Sequence, residues 1–306
     1  MIRYICVRLL LTLAALWLVG TMVFLLAHAL PGDPVQQMLG EGARAEDLQQ
    51  LRHSLGLDLP VLTQYERYMA GLVHGDLGES LRFQQPVARV VIERYPATLE
   101  LALVALLVST AISIPAGLSA AEHRGGFEEH AVGVFSLVGL SVPYFALGPL
   151  LILVFSVLLG WLPVSGRGGV PHLILPGVTL GASMAAVLTR MVRVSVLEEL
   201  SSDYVRTARA KGLFEWQVLF RHAFRNALIP ITTILGLQFG ALLAGTIVTE
   251  TIFSWPGVGR LVVQAINARD YPLLQGCILV IAISYVIVNL LTDVTYAVID
   301  PRVSLE

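Results

Sequence analysis

Residues 131–166 contain no charged side chain, and the same holds for 9–30, 101–121, 228–249 and 271–292. Runs of this kind have few folds open to them. Inside lipid every backbone N–H and C=O must find a partner within the segment, and a helix is the local form that achieves this. At about 1.5 Å per residue, about 20 residues cross a hydrocarbon core of about 30 Å. The chain is 56% hydrophobic and 14% charged, where soluble domains carry about a quarter charged residues. These features predict an all-α integral membrane protein. A net charge of −2 leaves no global basic field for nucleic acid. Cys6 and Cys277 stand far apart in or beside apolar runs, without metal-ligand spacing, and are expected to be buried thiols.

Arg3 and Arg8 precede the first run. A retained first span is expected there, because a secretory signal has a shorter apolar core and a small-residue cleavage site. The residues that follow, Leu30-Pro31-Gly32-Asp33-Pro34, predict a turn instead. Residues 31–97 are the longest polar region. Leu48, Leu51 and Leu55 at helical spacing lead to Gly56, and Pro60 opens a helix carrying Leu62, Tyr65, Tyr68, Met69 and Leu72. Val87, Val90 and Val91 mark a third helix after Pro86. Five further spans are expected. They are 101–121, one kinked span with a shallow re-entry across 131–166 where Pro143 and Pro149 interrupt, about 176–191, about 228–249, and the stretch between Asp270 and Asp293. The chain thus divides into 1–30 (N-terminus and first span), 31–97 (a small helical region between spans one and two), 98–298 (spans two to six with a polar hairpin at 203–230) and 299–306 (tail).

Six spans put both termini on one side, and the cations choose it. Arg3, Arg8, Arg124, Arg190, Arg193, Arg206, Arg209, Lys211, Arg221, Arg225 and Arg302 fall on the terminal side, against Arg167, Arg260 and Arg269 in the short opposite loops. The positive-inside rule makes the terminal side cytoplasmic and 31–97 periplasmic.

Energy coupling leaves few traces in the sequence. Lys211 is the only lysine and is followed by glycine, so no phosphate-cradling G-x-x-x-x-G-K-[ST] loop exists. The apolar runs hold no mid-membrane carboxylate of the kind ion-coupled carriers use; Glu100, Glu250 and Asp293 lie near span ends. There is no metal cluster and no nucleophile–base set, so no enzyme is visible. The segment Asp203–Pro230 stands out against this background. It reads as two short helices broken at Gly212, with Ser201, Ser202 and Asp203 as N-cap candidates. Trp216, Phe220, Ala223, Phe224 and Ala227 share one helical face, with Arg221 and Arg225 opposite. A helical bundle without its own energy source, carrying a basic hairpin, is expected to be driven by a partner through that hairpin.

Several segments carry a resemblance. They are Leu30-Pro-Gly-Asp-Pro, Leu55-Gly-Leu-Asp, Gly75-Asp-Leu-Gly, Pro96-Ala-Thr-Leu-Glu-Leu, Asp203-Tyr-Val-Arg-Thr-Ala-Arg-Ala-Lys-Gly, Arg225-Asn-Ala-Leu-Ile-Pro, Phe253-Ser-Trp-Pro-Gly-Val-Gly-Arg, Arg269-Asp-Tyr-Pro and Asp300-Pro-Arg. In this order and spacing the whole chain resembles permease subunits of bacterial ATP-binding-cassette importers of the peptide/nickel family. The resemblance implies a type-1 importer permease fold in the bacterial inner membrane. It also implies no cofactor of the chain's own, with ATP and Mg used by partner subunits. The implied partners are a sibling permease, two cytoplasmic ATPases, a periplasmic or lipid-anchored substrate-binding protein, and membrane lipid. Di- or oligopeptides, glutathione, and nickel or a metal chelate are all implied as substrate classes.

The resemblance also implies sites. Relatives couple to their ATPase through an E-A-A-x-x-x-G hairpin. With Gly212 as the motif glycine, Arg206, Thr207 and Ala208 occupy the E-A-A positions, so Arg replaces Glu and Thr replaces the first Ala. The implied coupling set is Asp203, Arg206, Thr207, Ala208, Arg209, Lys211 and Gly212, with Ala208 on the docking face and Gly212 left-handed. An outer gate is implied around Trp255, Pro256, Gly257, Arg269, Asp270 and Tyr271. Trp255 is expected at the membrane interface, and Leu261, Val262, Ala265 and Ile266 on one face of a short helix. Two other classes stay open on the residues alone. One is a secondary transporter, which an essential mid-membrane carboxylate would mark. The other is a membrane anchor without a pathway of its own.

Overall fold

The computed structural model describes residues 2–29, 34–39, 42–54 and 56–299. The expected turn at Pro31–Asp33, Leu55 of the early leucine stripe, and the tail from 300 onward lie outside them, as does the side chain of Cys6. The chain is helical: α1 (Ile2–Ala29), α2 (Pro34–Leu39), α3 (Ala45–Ser54), α4 (Val61–Val73), α5 (Val87–Glu122), α6 (Phe127–Ser141), α7 (Tyr144–Leu151), α8 (Val170–Leu200), α9 (Asp203–Ala210), α10 (Glu215–Gln217), α11 (Arg225–Gly245), α12 (Ile247–Ile252), α13 (Val258–Asn267) and α14 (Tyr271–Ile299). π-helical segments at Ile152–Leu158 and Val218–Phe224 extend α7 and join α10 to α11. Among the described residues four helices are long and apolar enough to cross a membrane, and the pair α6 and α7, bent by 97°, forms a fifth candidate. Two compact units result: 1–98 with 256–284, and 99–255 with 285–306.

In the first unit, the second half of α1 packs against α4. Phe24 meets the rings of Tyr65 and Tyr68 at 5.3 and 5.6 Å. Thr21 and Tyr65 share a 2.8 Å hydrogen bond, and His28 and Gln64 share one of 3.1 Å. The periodic residues after Pro60 therefore find their partner in α1. Amphipathic α13 buries Val258, Gly259, Leu261, Val262 and Ala265, while Ile266 is half exposed. The stripe thus begins at Val258 and its last turn ends at Ala265, so Ile266 falls on the flank and not on the expected face.

In the second unit, the contact order fixes helix directions. A Cβ on Gly177, Gly181 or Gly117 would come within 2.7 Å of Val104, Val108 and Val192 respectively. The pairs advance together along both helices, so α5 and α8 run parallel at close range. Glu129 meets Arg193 and Gly139 meets Ala186, so α6 opposes α8. Gln238 reaches the carbonyl of Met184 while Ala227 and Ile231 pack with Leu188 and Val192, so α11 also opposes α8. Gly236 lies against Thr292 and Gly240 against Tyr285, so the end of α14 opposes α11.

Three boundaries differ from expectation. The third outer helix and span two are one helix, α5, which passes through Pro96 and Pro115. α8 runs well past both expected ends; Arg190 and Arg193 are carried on a helix that outruns the apolar core, and Arg193 pairs with Glu129. The hairpin's second arm is not a separate helix, because residues 215–243 form one membrane-length rod.

Candidate functional site

The hairpin closes at a Schellman turn. Gly212 has φ +78, its N–H donates to the Arg209 carbonyl, and the Leu213 N–H reaches that of Ala208. This is the hydrogen-bond pattern that ends a helix in a left-handed residue, as expected for Gly212. Leu213 then folds back on Val205, Ala208 and Val218, and these three are buried. Ala208 therefore points into the hairpin, 5% exposed. The expectation that it lies on a docking face is corrected: its small side chain lets the two arms close on each other. The expected N-cap oxygens are also engaged elsewhere, since the Ser201 and Ser202 hydroxyls donate to the Glu198 and Glu199 carbonyls at the end of α8.

The stripe of the second arm is shifted. Val218, Leu219, Ala223 and Ala227 are buried, whereas Trp216 and Phe220 are 63% and 52% exposed. The π-helical segment 218–224 has more residues per turn than an α-helix, so the α-helical spacing used to draw the stripe picks the wrong neighbours. Arg209 makes a two-pronged ion pair with Glu215, at 2.8 and 3.2 Å, which ties the arms together. Arg206 pairs loosely with Asp203 at 3.4 Å, both largely exposed. Thr207 and Lys211 are exposed, so the outward face of α9 presents Asp203, Arg206, Thr207 and Lys211.

Tyr204 and its partners were missed from the sequence. Its hydroxyl donates to the Glu199 carboxylate and accepts from the Asn226 amide at 3.0 Å, joining α8, α9 and α11. Burial, then the hydrogen bond to Glu199, pushes its phenol above the ordinary range. Nothing local in the sequence marks this triangle, because its corners lie on three helices.

The other expected site residues fall into two places. Trp255 is fully buried and not an interfacial belt residue. Ser254, at φ +50, makes a second Schellman turn that folds the indole inward, with the Trp255 N–H on the Glu250 carbonyl at 2.8 Å. The Arg167 guanidinium covers the indole face at 5.9 Å and pairs with Glu100 at 2.7 Å. In the other unit, Pro256 and Gly257 lead into α13, and the Val258 N–H donates to Thr98 at 2.8 Å. Arg269, at φ +48, ends α13 in a third such turn. Asp270 is 1% exposed. It accepts from the Ser80 hydroxyl at 2.5 Å, the Arg82 N–H at 3.0 Å and the Leu273 N–H at 3.1 Å. It thus caps α14, which begins at Tyr271, and anchors the 79–86 loop.

Residues 113–305 match the family described as binding-protein-dependent transport system inner membrane component, and residues 1–102 match the N-terminal domain of the same components. The chain is 44% identical over 303 residues to the glutathione transport system permease protein GsiC of Escherichia coli (strain K12), covering 99% of each. The same protein of Shigella dysenteriae serotype 1 (strain Sd197) matches to the same extent. Among solved structures, a chain of the MetNI methionine ABC transporter in an inward-facing conformation has a TM-score of 0.56 at 17% identity, over 69% of this chain and 96% of that one. At that identity the likeness concerns the fold.

Proposed function

The chain belongs to the family of binding-protein-dependent transport system inner membrane components, and on that premise we propose how it works: it is the membrane permease subunit of an ATP-driven importer and passes peptides of the glutathione class inward. The full-length identity to glutathione permeases carries the substrate class. It is a transport component, and hydrolysis of ATP with Mg belongs to cytoplasmic ATPase subunits. A binding protein delivers substrate from outside, and a sibling permease forms the other wall of the pathway. Nickel or a metal chelate is the second substrate class.

Six spans with cytoplasmic termini fit the helix directions. Two parallel spans are separated by an odd number of crossings, so the bent pair α6 and α7 counts as one crossing between α5 and α8. α11 and α14 then alternate, and α1 supplies the first span. The hairpin at 203–230 lies on the cytoplasmic side and couples to the ATPase through the outward face of α9, held by Gly212, the Arg209–Glu215 pair and Tyr204. On the outer side, Trp255, Pro256, Gly257, Arg269, Asp270 and Tyr271 belong to the gate.

The test is uptake by the complete complex in vesicles. ATP-driven glutathione accumulation that dipeptides compete for is expected, and nickel uptake unaffected by peptides would replace the substrate assignment. Gly212→Val adds a β-branched residue in a left-handed conformation, a strain of about 1–2 kcal/mol or more. It should abolish uptake while leaving assembly intact; normal stimulated hydrolysis and normal uptake would remove the coupling role.

A further inference from the structure

Arg167 lies in the loop between the π-helical segment Ile152–Leu158 and α8, and its guanidinium is held on two sides. Its Nε and Nη2 both donate to Oε2 of Glu100, at 2.9 and 2.7 Å. One of its faces lies over the buried indole of Trp255, 5.9 Å from the ring centroid. The loop is fixed beside this ring, because the Gly166 N–H donates to the Phe253 carbonyl at 2.9 Å. A guanidinium carries five N–H donors on a planar fork. Glu100 takes the Nε–Nη2 edge, so the Nη1–Nη2 edge has no partner among the described residues. The approach to that edge is little obstructed by neighbours in sequence: Gly166 precedes Arg167, Gly168 and Gly169 follow it, and its side chain is 41% exposed. The carboxylate beside the fork and the indole beneath it therefore orient it without filling it. A carboxylate is the group whose two oxygens match such an edge through parallel hydrogen bonds.

We propose that the free edge of Arg167 receives the C-terminal carboxylate of the peptide substrate. The inference rests on the peptide-importer reading given above, which supplies an anionic group common to the substrate class. It rests also on the six-span orientation, which puts this loop on the outer side, where substrate is delivered. A second carboxylate can join Glu100 here because the Arg167 and Glu100 side chains are partly exposed, 41% and 35%, and water screens the repulsion between the two anions. The same screening keeps the contact weak, which suits a site that must release its substrate inward. Arg167 is thus a specificity-determining residue, and Glu100 and Trp255 are its positioning residues.

The experiment compares uptake of glutathione with uptake of its C-terminal amide by the complete complex in vesicles, for wild type and variants with the same binding protein. Dividing the acid-to-amide rate ratio of wild type by that of a variant cancels the binding protein's own preference. Arg167→Gln should lower the preference for the free acid about tenfold, the scale of one charge-assisted hydrogen bond. Glu100→Gln keeps a carbonyl oxygen for the first edge and should retain the wild-type preference. Arg167→Lys keeps the charge without the fork and should fall between wild type and Arg167→Gln; it also stands in should the glutamine variant fail to assemble. A role confined to fixing the loop would slow acid and amide alike, so an unchanged ratio in Arg167→Gln or in Arg167→Lys overturns the proposal. A preference lost as fully in Glu100→Gln as in Arg167→Gln overturns it too, because the two edges would then not be separate. A wild-type complex that imports neither compound refutes the peptide reading and the proposal with it, whereas unchanged ratios in a complex that imports both refute the carboxylate site alone.

Discussion

Replacing Asp270 with alanine should release the 79–86 loop from the rest of its unit. The carboxylate is 1% exposed and accepts three donors: the Ser80 hydroxyl, the Arg82 N–H and the Leu273 N–H. Loss of the cap on α14 costs about 1 kcal/mol. The Ser80 and Arg82 donors lose their acceptor, at about 1–3 kcal/mol for each that stays buried. Removing a buried charge returns part of this, because its desolvation is itself costly. The net expectation is about 2–5 kcal/mol. A double-mutant cycle with Ser80→Ala isolates the shared bond, with an expected coupling of about 1.5–3 kcal/mol. Asp270→Asn keeps the cap but turns its amide donor toward both loop donors, which share Oδ2 in the native carboxyl group, so it should fall between wild type and alanine. Thermal unfolding of the purified complex gives the energies, and limited proteolysis within 79–86 reports the loop. Coupling near zero, or a loop equally resistant to protease in Asp270→Ala, would refute the anchoring role.

Three further outcomes are expected. Burial, followed by the proximity of Tyr65, pushes the Tyr68 phenol up to about 12, and its hydroxyl has no hydrogen-bond partner among the described residues. The neutral form is the one the fold favours. Its contribution is therefore intact below the ordinary tyrosine value of about 10 and is lost as pH rises from there to about 12; Tyr68→Phe should raise the melting temperature and flatten that alkaline loss. Arg269→Gly and Ser254→Gly each place glycine where φ is positive, so each should relieve about 1 kcal/mol of backbone strain, read as higher melting temperature. Ala208→Trp overfills the interior of the hairpin and should make the hairpin protease-sensitive before any effect on ATPase binding is measured; a protected hairpin with lost binding would return Ala208 to a docking face.

What could be read from the sequence was what repeats locally. The uncharged runs located the long apolar helices α5, α11 and α14 and the bent pair α6 and α7, because lipid forbids unpaired backbone over such lengths. The left-handed Gly212 was legible because a glycine and then a leucine follow a short amphipathic helix. The edges of α8 were not, since Arg190 and Arg193 look like a membrane boundary and yet continue the helix. The buried stripe of the hairpin was misdrawn because a π-helical segment does not announce itself in residue types. Trp255 before a proline looks interfacial, and only the turn at Ser254 reveals that it folds inward. Ser80 and Asp270 are 190 residues apart, and Tyr204 joins three helices, so neither constellation leaves a pattern in one dimension.

The second arm of the hairpin and the span that follows it share one backbone. Residues 215–243 form a rod of 29 residues, about 43 Å at about 1.5 Å of rise per residue. Two places along it depart from α-helical hydrogen bonding, the π-helical 218–224 and Pro230, which has no N–H to donate. A few degrees of tilt carried along the rod from Glu215 amounts to ångström-scale displacement near Gly240, where Gly236 and Gly240 pack against Thr292 and Tyr285 of the last helix. The compliant stretch nearest the hairpin is the π-helical 218–224, ahead of the interruption at Pro230. The molecule in this respect is a lever with its spring placed next to the handle.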